Sequence, residues 1–229
     1  MTLAELIKAA LKEDMPFGDL TTESLALKPK PGRALLKAKE DIILSGTLPF
    51  EETVSTLEPS CKVKWHFEEG QQVLNGQNIC SINGDMIQIL KAERVSLNFI
   101  GHLSGISTFT HKFVMQVKET KTRILDTRKT TPGFRELEKR AVVHGGALNH
   151  RMNLSTAVLI KDNHIALMKG ITAAIQRVRA HTPSPIEVEV RTLSDVKEAV
   201  SNQVQRILLD NMDNETLKAA LALIPKPIE

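Results

Sequence analysis

The chain has 229 residues, enough for one large or two modest domains with a substantial core. Its 41% hydrophobic and 25% charged content is that of an ordinary soluble globular protein. A formal net charge of +3, 3% aromatic residues and no tyrosine argue against a nucleic-acid binder that works by base stacking. The opening "MTLAELIKAALKED" mixes acids into its apolar residues and is no secretory signal. No apolar run approaches the ~18 residues of a membrane span. A cytoplasmic protein is therefore expected. Cys61 and Cys80 lack metal-type spacing and read as reduced structural thiols.

In chain order, Leu3, Leu6, Ile7, Ala10 and Leu11 recur at helical spacing, with Thr2 and Glu5 placed as a capping box. "RALLKAKEDIILSG" reads as strand, "PFEETVSTL" as a short helix, and "CKVKWHF" as an alternating strand. Gly70 and Gly76 mark turns. From Met86 to Val117 the pattern is helical, and Gly105 predicts a join between two helices. After Thr122 short apolar strands ("RILD", "AVLIKD", "IEVEV", "RILLD") alternate with helices ("FRELEKRAVVH", "ALMKGITAAIQRVRA", "LSDVKEAVS", "NETLKAALALI"). That alternation predicts a parallel sheet covered by helices, either a barrel or an open doubly wound sheet.

In such folds the C-terminal strand ends share one face, and active sites lie there. The first strand delivers Asp126, Arg128 and Lys129 and the second Lys161, Asp162, Asn163 and His164. The third carries Glu187 and Glu189, and the fourth ends in Asp210 and Asn211. "GGALNHR" adds His150 and Arg151. A basic cluster thus stands beside an acidic pair, Glu189 and Asp210. Arginine forks match carboxylates and phosphates, and paired carboxylates suit a ribose diol or Mg²⁺. The pattern fits a multiply anionic small molecule together with a sugar phosphate. Each member also has a plainer reading: solvated rim charges, a loop cap at Asp210, an ion-pair role for one glutamate, a capping role for His164.

"ILDTRKTTPGFRELEKRAVVHGGALNHRMNLSTAVLIKDNHI" resembles the signature of the quinolinate phosphoribosyltransferases, the carboxylating nicotinate-nucleotide pyrophosphorylases. "EDMPFGDLTTE", "AERVSLNFIGHLSGIST", and "EVEV" followed by "ILLDNM" agree in order and spacing, so the resemblance covers nearly the whole chain. It implies an α/β fold: an N-terminal α/β sandwich domain with linking helices over residues 1–108, then an incomplete parallel α/β barrel over 109–229 carrying the active site. It implies a homodimer that converts quinolinate and phosphoribosyl pyrophosphate into nicotinate mononucleotide, pyrophosphate and carbon dioxide, with Mg²⁺ bound with the pyrophosphate substrate. Carried over by residue, Thr127, Arg128, Lys129, His150, Arg151 and Lys161 would bind quinolinate, with Arg94 supplied from the neighbouring subunit. Glu189 and Asp210 would handle the ribose and metal side, and Glu189, Asp210 and Lys129 would be catalytic.

Two departures stand out: Gly101 where the family often has glutamine, and Arg191 after "EVEV" where an acid is usual. Past "LALIPKPIE" the family continues into two glycine-containing phosphate loops, so a C-terminally shortened chain with weak affinity for phosphoribosyl pyrophosphate is expected. The alternatives are a paralogue of the same fold associated with molybdenum transport, and a non-catalytic dimerising or anion-binding remnant.

Overall fold

The computed structural model describes residues 1–229, which form two compact units, Met1–His150 and Arg151–Glu229. The first unit contains α1 (Leu3–Asp14), α2 (Leu20–Ser24), β1 (Pro31–Lys37), β2 (Ile42–Ile43), α3 (Thr47–Leu57), β3 (Lys62–Trp65), β4 (Gln72–Val73), β5 (Asn78–Asp85), α4 (Met86–Val117) and α5 (Arg135–His144). The second contains β6 (Val158–Ile160), α6 (Asp162–Met168), α7 (Ile171–Arg179), β7 (Ile186–Val190), α8 (Leu193–Ser201), β8 (Arg206–Leu209) and α9 (Asn214–Leu223). No helix is long and apolar enough to cross a membrane.

In the first unit β1, β5 and β3 form an antiparallel sheet in that order, and β2 pairs with β4. Strand β3 alternates as expected, with Val63 and Trp65 inward and Lys62 and Lys64 exposed. The Thr2–Glu5 capping box forms at the start of α1. Both cysteines are free, and burial pushes the Cys80 thiol up to about 12, as befits a structural thiol.

Helix α4 is the spine of this unit. Ile89, Ala92 and Ile100 pack with the sheet and with Phe50 and Val54 of α3. Val95, Phe99 and Leu103 pack with Ile7 and Leu11 of α1 and with Leu137 and Ala141 of α5. The predicted join at Gly105 does not exist, because α4 runs unbroken through it. A mid-helix glycine costs only about 1 kcal/mol, and two buried faces outweigh it. The next turns are also stitched to the β2 segment. Ser104 Oγ accepts from Ser45 N–H (3.0 Å) and donates to Ser45 O, while Thr108 Oγ1 accepts from Ile43 N–H (2.8 Å).

"RILD" is not a strand. Leu125 makes one parallel bridge to Leu148, with Asp126 N–H donating to Leu148 O (3.1 Å) and Leu148 N–H to Ile124 O (3.0 Å). The ladder stops there because Asn149 and His150, next on the partner segment, turn to bond the buried carboxylate of Asp126, described below.

In the second unit β6, β7 and β8 form a parallel sheet in that order, with Val158 opposite Ile186 and Glu187 opposite Arg206. All five residues of β7 are buried, as a strand covered on both faces requires. Ile171, Ala174 and Ile175 of α7, Val196 and Ala199 of α8 and Ala220 of α9 pack over Ile160, Val188, Val190 and Ile207. The helix expected over "ALMKGITAAIQRVRA" is two helices. Lys169 takes a left-handed φ of 59°, and Gly170 N–H closes back on Ile165 O at 3.0 Å, a glycine-assisted helix stop.

Gly145, just past α5, shows how tightly the first unit is packed. A methyl group there would lie 2.6 Å from both Ser107 O and Thr110 Cβ of α4. Gly145→Ala is expected to lower stability by about 1–3 kcal/mol, read from the urea midpoint. An unchanged midpoint would show that α4 and the end of α5 separate without cost.

Candidate active site

The first unit carries Thr127, Arg128, Lys129 and His150 on two segments that meet at one carboxylate. Asp126 Oδ1 accepts from Lys139 Nζ (2.5 Å) and from His150 N–H (2.7 Å). The Asn149 amide, with its nitrogen facing inward, donates to Asp126 Oδ2 (2.7 Å) and to Lys139 O (3.0 Å). Lys139 Nζ also donates to His150 O at 3.1 Å. Both side chains of the ion pair are buried, Lys139 at 1% and Asp126 at 6% exposure. A buried pair of this kind is tolerated because further hydrogen bonds reach both Asp126 oxygens and the Lys139 ammonium. Its effect is positional: the segment bearing Arg128 and Lys129 and the segment bearing His150 share one anchor.

Beyond the anchor, Lys129 N–H donates to Thr127 Oγ1 (3.0 Å) and the Lys129 side chain stays exposed. Arg128 is half-buried, and its Nε is a buried donor with no acceptor in the chain. An orphaned guanidinium N–H is costly unless an acceptor arrives. Arg135 Nε bonds Thr130 Oγ1 (3.1 Å), and Glu138 accepts from Thr131 N–H (3.1 Å) and pairs with His102 Nε2 (2.9 Å). Burial pushes the Glu138 carboxyl up, but the bonds from His102 and Thr131 outweigh it and hold it below the usual carboxylate range. Arg94 lies exposed on α4.

The second unit gathers its charges at the C-terminal strand ends. Lys161, just after β6, places Nζ 3.1 Å from Glu189 Oε2 on β7. Arg191, just after β7, joins three carboxylates: its Nη2 lies 3.0 Å from Asp162 and 3.8 Å from Glu189, and its Nε bonds Asp210 at 3.1 Å. The hydrogen bond to Asp210, then the nearby Asp162 charge, raise the Arg191 pKa above its ordinary value. Asp162, Glu189 and Arg191 also line a cavity of about 340 Å³ whose walls are part polar, with Asp195 and Glu198, and part apolar, with Ile165 and Ile171.

Other expected rim residues are placed differently. Glu187 lies two residues below Glu189 on the same strand face, 3.6 Å from Arg206 at the start of β8. His164 folds back so that its Nδ1 accepts the Lys161 N–H (2.9 Å), which is a capping role. Arg151 Nη1 donates to Ala157 O (3.1 Å), and Arg151 and His164 line a mainly apolar cavity of about 430 Å³ with Leu159, Leu167 and Met168.

The rim is poorly suited to a resident metal. Asp162, Glu189 and Asp210 are each engaged by Lys161 or Arg191, and no three His, Cys, Asp or Glu side chains converge to hold an ion.

Two residues central to this geometry were not singled out as site residues by sequence reasoning. Lys139 sits two positions from both Leu137 and Ala141, about 200° around the helix from each, so helical periodicity assigns it to the polar face. Arg191 was visible only as a departure from the family pattern.

Lys139→Met leaves the buried Asp126 charge unpaired and is expected to cost about 3–5 kcal/mol by urea denaturation. Adding Asp126→Leu to that variant should cost less than the sum of the single changes, the signature of direct coupling. Glu138 supplies a second check. Its depressed pKa means its contribution is full above the ordinary carboxylate pKa and is lost as pH falls through the lower folded value. Glu138→Gln should therefore cost about 1.5–3 kcal/mol at neutral pH, and the gap from the parent chain should close in acid. A constant gap would refute the charged hydrogen bonds.

Comparison with known proteins agrees with these features. Residues 19–104 match the family model for the quinolinate phosphoribosyl transferase N-terminal domain, and residues 106–228 that for the C-terminal domain. A probable carboxylating nicotinate-nucleotide pyrophosphorylase of Synechocystis is 41% identical over 216 residues, which is 93% of this chain and 73% of that protein. Its counterpart in Bacillus subtilis is 36% identical over 231 residues, which is 100% of this chain and 80% of that one. The crystal structure of nicotinate-nucleotide pyrophosphorylase from Ehrlichia chaffeensis superposes with a TM-score of 0.92 at 40% identity, covering 97% of this chain and 82% of that one. With both domain models matched in order along almost all of its length, the chain belongs to the quinolinate phosphoribosyl transferase family.

Proposed function

We propose that this chain transfers a phosphoribosyl group to quinolinate and decarboxylates the product, giving nicotinate mononucleotide, pyrophosphate and carbon dioxide for NAD synthesis. The observation that carries the reading is Arg128, whose buried Nε lacks an acceptor and whose segment is anchored, with that of His150, on Asp126. Adjacent carboxylates on an aromatic ring would supply the missing acceptor and call for several cations. From the first unit the reading takes Thr127, Arg128, Lys129 and His150 as quinolinate-binding, and from the second Arg151 and Lys161. Arg94, exposed on α4, is assigned to the site of a second protomer in a homodimer.

The chemistry follows from charge. The pyridine nitrogen attacks the ribosyl carbon as the bond to pyrophosphate breaks, and positive character builds on the sugar. Glu189 and Asp210 are assigned to stabilise that charge and to take the ribose hydroxyls. Lys129 is assigned to the anionic groups that reorganise during transfer. Mg²⁺ is taken to arrive with phosphoribosyl pyrophosphate, neutralising the leaving group as part of the substrate. Loss of the 2-carboxylate as carbon dioxide leaves an electron pair on the ring carbon next to the nitrogen. The ribosylated, cationic nitrogen stabilises that pair until a proton from solvent replaces the carboxylate.

Quinolinate labelled in the 2-carboxylate provides the test. The chain should release labelled carbon dioxide only when phosphoribosyl pyrophosphate is present. Arg128→Ala should weaken quinolinate binding by calorimetry about 10- to 100-fold, the loss of a charge-assisted contact. A folded chain that neither binds quinolinate nor releases label would overturn the reading.

A further inference from the structure

The carboxylate rim of the second unit already holds a cation of its own. Asp162 follows β6, Glu189 lies in β7 and Asp210 follows β8, so the parallel sheet brings three acids from three strand ends to one place. The three do not converge closely enough to form an ion-binding cluster of their own. Here the Arg191 guanidinium stands among all three, at 3.0 Å from Asp162, 3.1 Å from Asp210 and 3.8 Å from Glu189. Lys161 takes the other oxygen of Glu189 at 3.1 Å. Three negative groups thus face two fixed positive ones.

We propose that Arg191 is the built-in counter-cation of this rim, standing in place of a protein-held divalent ion, so that the folded chain has no standing Mg²⁺ site there. The guanidinium is a planar fork that stays charged at any working pH and satisfies several carboxylates at once. Mg²⁺ demands near-ideal octahedral oxygen coordination at short range and gives up its waters reluctantly. It would need the oxygens that Arg191 occupies, and it would meet the repulsion of Arg191 and Lys161. The inference rests on the proposed function only in naming phosphoribosyl pyrophosphate as the carrier that brings Mg²⁺ in. It also assigns a role to the arginine that replaces the usual acid after "EVEV": it sets the charge seen by the ribose side of the substrate.

The experiment needs no substrate. Mn²⁺ is titrated into the full 229-residue chain and the free ion is read by electron paramagnetic resonance, for the parent and for Arg191→Lys, Arg191→Gln and Arg191→Glu. The parent and Arg191→Lys should leave Mn²⁺ as free as in buffer. Arg191→Glu should bind it at least tenfold more tightly, and Asp210→Asn added to that variant should abolish the gain. Arg191 is 52% exposed, so these are not core substitutions, and circular dichroism verifies the fold. If Arg191→Glu fails to fold, Arg191→Gln carries the test with a smaller but measurable gain. A parent chain that binds Mn²⁺ as tightly as Arg191→Glu overturns the proposal, as does a folded Arg191→Glu that binds no better than the parent. Failure of the phosphoribosyl-transfer reading would appear instead in the labelled carbon dioxide assay, which the Mn²⁺ titration does not touch.

Discussion

One carboxylate organises the cation-bearing part of the first unit. Asp126 is buried with Lys139, and its oxygens also take the His150 N–H and the Asn149 amide. Removing two charges from water is expensive, and the pair persists because its geometry is short and further hydrogen bonds support both partners. What this arrangement delivers is position. Arg128 and Lys129 follow directly on Asp126, and His150 is bonded to it through both its N–H and, by way of Lys139, its carbonyl. Neighbouring cations repel one another, so holding them close together calls for a fixed scaffold beneath them. A buried ion pair beneath them meets that need.

The second unit solves a related problem at the ends of a parallel sheet. Strand polarity puts Lys161, Glu189, Arg191 and Asp210 at one rim without any long-range design beyond register. Opposite charges then settle against each other. Glu187, two residues deeper on β7, is spent on Arg206 and is a structural residue. Glu189 and Asp210 stand at the rim itself, and Arg191 pairs with both. An acid at position 191 would deepen the negative potential, whereas the arginine offsets part of it. Family membership therefore does not by itself fix the electrostatics of the rim.

Much of the fold was legible in the sequence. The capping box at Thr2, the inward alternation of Val63 and Trp65 and the strand "IEVEV" all follow from local rules, and all are present. The failures also have physical causes. Gly105 was read as a break, but its cost is small beside the two hydrophobic faces that α4 buries. "RILD" was read as a strand, but its partner segment offers a single bridge before turning to Asp126. The helix over "ALMKGITAAIQRVRA" was read as continuous, but Lys169 and Gly170 close the first helix and open a second.

By itself the sequence determined the family, the alternation of strands and helices in the second half, and the residue types that carry charge to the strand ends. Those depend on neighbours within a few positions and on motif order, which a chain displays before it folds. Tertiary structure alone decided which charges are spent on one another. Lys139 lies on the polar face of α5 by periodicity, yet it is buried because Asp126, thirteen residues earlier, folds beneath it. Arg191 looked like a tolerable exception until the sheet brought Asp162 and Asp210 around it. Ion pairing is set by distance in space, at a range of a few ångströms, and separation along the chain carries almost no information about it.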